Sequence, residues 1–143
     1  MPVSPMAMPQ DALARAILAV RGHYDFAVDG GAQGTIALTA GTPIPSGSII
    51  VGGYVDVTTQ LTSGGSATIA CQVNAANDIL TAVAVATWTA GRKNVLPAPT
   101  TGALTASTAV KTTAARDISI VIAVADLTAG VFDVVLYLIP TVG

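Results

Sequence analysis

The sequence predicts an all-β domain: a jelly-roll-like antiparallel β-sandwich of about eight strands behind an N-terminal arm. Three observations predict it. Thr, Val and Ile abound while Glu is absent and Lys scarce, so residues that suit a half-buried pleat outnumber those that cover exposed helices. Apolar residues recur with period two through most of the chain after residue 22. Clusters of Gly, Pro, Ser and Thr punctuate these runs at fairly even spacing.

Residues 1–22 read differently from the rest. Pro2, Pro5 and Pro9 stand among Met and Ser. DALARAILAVRG then offers Asp11 as an N-cap, Leu13, Ile17 and Leu18 at helical spacing, and Gly22 as a stop. This predicts an arm over 1–22 carrying a short helix, and a sandwich over 23–143. The competing reading extends the first strand back towards Ala19.

From His23 onwards, Tyr24, Phe26 and Val28 alternate with His23, Asp25 and Ala27, and after DGGAQG, Ile36 and Leu38 alternate with Thr35 and Ala37. The glycines predict a hairpin bend between these two strands. The turn-rich GTPIPSGS precedes a third strand in which Ile49, Val51, Gly53, Val55 and Val57 share one face. Ser63, Gly64 and Gly65 predict a hairpin into Ala67, Ile69, Cys71 and Val73. ILTAVAVATW fits a helical turn followed by a strand, and GRKNVLPAPTTGALTAS, with two prolines, reads as the longest irregular stretch. The chain closes with a hairpin signal: Ile118, Ile120, Ile122 and Val124 on one arm, LTAG as the turn, and Phe132, Val134, Leu136 and Leu138 on the other.

Composition narrows the function. Hydrophobic residues make up 52% and charged residues 10% of the 143, with a formal net charge of −2. A mean hydropathy of +0.68 and a pI near 4.9 accompany this. No clustered Lys and Arg announce a phosphate backbone, so nucleic acid is not an expected partner. The apolar run from Ile118 stops at Asp126, short of the ~20 residues that span a bilayer, and the N-terminus lacks the charge order of a signal peptide. Neither membrane nor export is expected. Val121, Ala123, Val135, Tyr137 and Ile139 lie opposite the predicted core and are not what a water-facing sheet prefers, so they are candidate subunit-interface residues.

Chemistry-bearing patterns are weak. Gly30, Gly31 and Gly34 do not make G-x-G-x-x-G, no Lys-Ser or Lys-Thr follows, and strand-like GTIALT stands where a phosphate-binding helix should begin. Scattered Asp residues form no calcium loop. A hydrolase would have to use His23, the sole histidine, with Asp25 on the same strand face, but no G-x-S-x-G elbow exists. Cys71, the single cysteine, reads as a buried small hydrophobe, and Trp88, the single tryptophan, as a core or interface anchor. No cofactor, metal or catalytic residue is expected.

Three stretches carry a resemblance: YDFAVDGGAQGTIALT, IPSGSIIVGGYVDVTTQLTSGGSATIACQV and DISIVIAVADLTAGVFDVVLYLI. Together they resemble tailed-bacteriophage virion structural proteins, the small β-sandwich decoration or head-fibre proteins of capsid surfaces, over roughly Tyr24 to Pro140. The resemblance implies a homotrimer seated on the major capsid protein outside the head and held by an N-terminal arm. Met6, Met8, Leu13 and Ile17 are then the candidate attachment residues, and the virion exterior the expected location. The rival readings are a receptor- or carbohydrate-binding module at a tail or fibre tip, with Trp88 and 91–107 grouped at one end to meet a host glycan, and a hydrolase centred on His23 and Asp25.

Overall fold

The computed structural model describes residues 17–38, 43–94 and 110–140. Among the described residues, nine strands form two antiparallel sheets: β1 Leu18–Asp25, β2 Gly34–Ala37, β3 Ile49–Ser63, β4 Thr68–Gln72, β5 Leu80–Ala84, β6 Gly91–Asn94, β7 Val110–Lys111, β8 Ser119–Ala123 and β9 Leu127–Ile139. One sheet runs β1-β9-β3-β6, with β7 paired to the start of β3; the other runs β2-β8-β4-β5. Setting β7 aside, the eight remaining strands follow the jelly-roll order, in which the chain passes from sheet to sheet as it winds.

That winding corrects three expected hairpins. DGGAQG joins β1 to β2, Ser63–Gly65 leads from β3 to β4, and residues 124–126 lead from β8 to β9; each connection changes sheets. Glycine-rich reversal and period two are the same signal for a hairpin and for a corner, so local sequence does not separate them. β4 and β5 are the consecutive strands that do pair, through the turn 73–79. Asp78 holds this turn by accepting the backbone N–H groups of Val73, Asn74 and Ala75 at 2.8–2.9 Å.

Four further expectations change. Phe26–Asp29 is a single helical turn, α1, instead of strand, because Asp25 caps it by accepting from Ala27 N at 2.9 Å. LTAG belongs to β9, whose preceding bend places Val124 at φ 73. Leu80–Ala84 is strand and Val85–Thr87 the 3-10 turn after it, the reverse of the expected order. Gly91–Asn94, expected to be irregular, is an edge strand on β3; the following residues 95–109 lie outside the described residues.

β1 opens at Leu18, paired with Leu138, so Leu18–Gly22 belongs to the sheet instead of a helix. β3 carries a bulge near its start: Ile50 faces Leu138 and Gly52 faces Tyr137, leaving Val51 as an extra residue. The bulge is why Ile50 and Val55 are both buried while Val51 is 45% exposed, which strict alternation would not allow.

The core lies between the sheets. Phe132 is its centre, with the Tyr24 ring at 5.0 Å and the Trp88 ring at 4.9 Å, all three buried. Ile69, Cys71, Ile120 and Ile122 face them from the second sheet, with Ile118 just before β8, and Val55, Val57, Val134 and Leu136 from the first. Each fully buried aliphatic or aromatic side chain contributes about 1.5–3 kcal/mol, so this double layer is the main source of stability.

Candidate interaction surfaces

The two sheets differ sharply in charge. β2, β4, β5 and β8 read GTIA, TIACQ, LTAVA and SIVIA, without a charged residue or histidine. Every charged strand residue described lies in the sheet of β1, β9, β3 and β6 or on β7. The outer face of the uncharged sheet presents mostly small side chains, among them Thr35, Ala37, Val121 and Ala123, together with Gln72. It can be covered without desolvating a charge, which would otherwise cost several kcal/mol per unpaired ion.

The outer face of the charged sheet is organised in rows. One row crosses all four strands: His23 faces Asp133, Asp133 faces Asp56, and Asp56 faces Arg92. Asp133 is held by Arg21 at 2.9 Å and His23 Nδ1 at 2.6 Å, and Asp56 lies 3.7 Å from Arg92. Next to this row, Tyr54 lies beneath the Arg92 guanidinium at 5.4 Å and 6.1 Å from the Tyr137 ring. Towards the start of β1 the face turns apolar. Of the six exposed large hydrophobics among the described residues, Ile17, Val51 and Tyr137 gather at this corner, while Leu18, in register with buried Leu138, lies at its rim on the core side.

The opposite end of the sandwich gathers four connections: 26–33, 64–67, 85–90 and 124–126. Leu127 N donates to Gly31 O at 2.8 Å, Gln33 N to Asp126 Oδ1 at 3.1 Å, Val85 N to Ala67 O at 2.9 Å and Leu61 N to Trp88 O at 3.3 Å. The Tyr24 hydroxyl donates to Gly30 O at 2.8 Å, and burial, with Asp29 and Asp25 nearby, raises its pKa to about 12. DGGAQG is therefore a corner tied on both sides. Its carboxylate and that of the preceding Asp25 are engaged by the chain itself: Asp25 accepts from Ala27 N, and Asp29 from Asp25 N at 2.9 Å.

The expected residues fall as follows. Met6, Met8 and Leu13 lie outside the described residues, while Ile17 is 62% exposed just before β1. Val121 and Ala123 stand on one outer face and Val135, Tyr137 and Ile139 on the other, so the structure does not bring the five together. Trp88 is buried against Phe132 with 3% exposure, which removes it as an exposed aromatic platform for a glycan. His23 pairs with Asp133 instead of Asp25, and Cys71 is buried, its thiol pushed up to about 12 by burial and Asp78. Among the described residues no group of three His, Cys, Asp or Glu is placed to hold a metal, and no helix is long and apolar enough to cross a membrane.

This architecture recurs in three solved phage capsids. A chain in the capsid asymmetric unit of cyanophage Pam1 matches with a TM-score of 0.60 at 17% identity, covering 96% of this chain and 94% of that one. A chain in the capsid of Ralstonia phage GP4 matches at 0.60 and 15% identity, covering 99% and 91%. One in the acidic stable capsid of Helicobacter pylori bacteriophage KHP30 matches at 0.54 and 13% identity, covering 87% and 89%. The likeness is one of fold. No protein-family model and no curated protein matches the chain.

The cross-strand row of charges and the apolar corner were not singled out from the sequence. Both depend on register between strands far apart in the chain, such as Asp56 with Asp133. The contrast between charge-free and charged strands was present in the sequence, but it becomes a signal only once the strands are sorted into sheets.

Proposed function

We propose that the chain is a phage virion structural protein, a capsid decoration or cement protein that binds the outer surface of the head. The observation that carries this is the whole-chain fold match. Between 87% and 99% of this chain covers 89–94% of chains found in three phage capsids, so each neighbour is a small sandwich of similar length and not one domain of a much larger shell protein. The major capsid protein is the proposed partner. The arm, through Met6, Met8, Leu13 and Ile17, supplies part of the attachment.

The mechanism is mass action. A protein that binds the assembled shell and not its free subunits stabilises the shell by RT ln(1 + [L]/Kd), about 4 kcal/mol at a thousandfold excess over Kd. Catalysis plays no part in it. A homotrimer is the proposed form: outward apolar residues such as Val121 and Ala123 call for a second copy as their simplest cover, and the three-fold order is what the resemblance to decoration proteins implies.

The experiment is removal of residues 1–16. This cut spares β1, whereas removal of 1–22 would take Leu18–Gly22 out of the sheet. The shortened protein should fold, shown by its buried Trp88 fluorescence, and fail to saturate heads purified without it. Full occupancy by the shortened protein would refute the role of the arm.

A further inference from the structure

The apolar corner formed by Ile17, Val51 and Tyr137 has a specific place in this function. In a closed ring of three, the two contact surfaces of each subunit are inclined at about 60°, whereas the two outer faces of a sandwich point in opposite directions. Val121 and Ala123 on one face, and Tyr137 and Ile139 on the other, therefore cannot both serve the same three-fold contact. One face is left for a different partner.

The structure distinguishes the two. The face with Val121 and Ala123 belongs to the sheet whose strands carry no charge, so a second copy can cover it without burying an unpaired ion. The other face ends in the corner, where half of the exposed large hydrophobics among the described residues collect: Ile17 at 62%, Val51 at 45% and Tyr137 at 38% exposure. Val51 is the extra residue of the β3 bulge, between Ile50 opposite Leu138 and Gly52 opposite Tyr137. The chain also enters the sandwich at this corner, with sixteen residues, including Met6, Met8 and Leu13, preceding Ile17.

We propose that this corner is the seat of the sandwich on the capsid shell, continuous with the arm, and that its occupant is an apolar surface of the major capsid protein. The inference rests on the decoration reading. The neighbouring row of Asp133, Asp56, Arg21 and Arg92 is internally paired and borders the contact. Leu138 and Ile50, beneath the corner, are buried and hold it in shape.

The test uses the full chain and heads of the parent phage assembled without it. Wild type and the double variant Val51→Thr, Tyr137→Thr are titrated onto the heads by co-sedimentation, while light scattering gives the mass of the free protein. Thr keeps the β-branched shape of Val51 and puts a strand-favouring residue in place of Tyr137, and Trp88 fluorescence reports folding. The expected result is at least a tenfold loss of head affinity with the free-protein mass unchanged. Affinity within twofold of wild type overturns the inference and leaves decoration standing. A fall in the mass of the free protein assigns the corner to a second copy and also overturns it. Wild type that does not bind heads removes the decoration reading itself.

Discussion

Asp56 and Asp133 stand directly opposite each other across β3 and β9, and each carboxylate is met by a cation from an outer strand, Arg92 on β6 and Arg21 on β1. Like charges facing each other in a ladder destabilise it, so the sheet depends on both flanking strands being in register. Arg21→Ala should lower stability by about 0.5–1 kcal/mol, and Asp133→Asn should recover most of that loss in the double variant. Urea denaturation of the four proteins of this cycle measures it. An Arg21→Ala loss that Asp133→Asn leaves untouched would mean that the ion pair is not its cause.

Gly31 is the glycine of DGGAQG with the least room. A Cβ there would lie 2.2 Å from Leu127 O and 2.8 Å from its carbonyl carbon, both backbone atoms of β9. Gly31→Ala should therefore cost at least about 2 kcal/mol, because the corner hydrogen bond from Leu127 N to Gly31 O must stretch or break. Thermal melting followed by circular dichroism gives the answer; an unchanged midpoint would show that the β1–β2 corner is not locked to β9.

Val124 adopts φ 73 and is 67% exposed, a costly conformation for a β-branched residue that buries little in return. Val124→Gly relieves that strain and should stabilise the protein by about 1 kcal/mol. A lower melting temperature for this variant would contradict the assignment of strain to this bend.

Cys71 and Tyr24 give stability a defined pH dependence. Both pKa values are raised to about 12 in the folded chain, chiefly by burial, from ordinary values of 9.0 and 10.0. The unfolded chain releases these protons first, so their contribution is complete below about pH 9 and is lost as pH rises towards 12. Equilibrium denaturation at stepped pH should show stability falling across that window. Cys71 should also resist thiol reagents at pH 8 until the protein unfolds.

Much of the sandwich was legible because period two at Ile118, Ile120 and Ile122, or at Phe132, Val134 and Leu136, is a direct record of which side faces the core. The sheet to which each strand belongs was not. Gly30–Gly34, Ser63–Gly65 and residues 124–126 carry turn chemistry that serves a hairpin and a sheet-changing corner equally, and the choice is made by packing around Phe132. Phe26 and Val28 continued an apparent alternation that the Asp25 cap turns into helix. Val135, Tyr137 and Ile139 were recognisable as outward and apolar, but grouping them with Val121 and Ala123 required β8 and β9 to be hairpin partners, which they are not. The charged row was invisible for the same reason: Asp56 and Asp133 become neighbours only through the long β3–β9 pairing.

The most direct test of the central claim is where the protein goes when virions of its phage are disrupted and heads are separated from tails on a gradient. The decoration account predicts that it travels with the heads, in many copies each, and leaves them as intact folded protein under mild destabilisation. Recovery with the tails, or absence from purified virions, would contradict it.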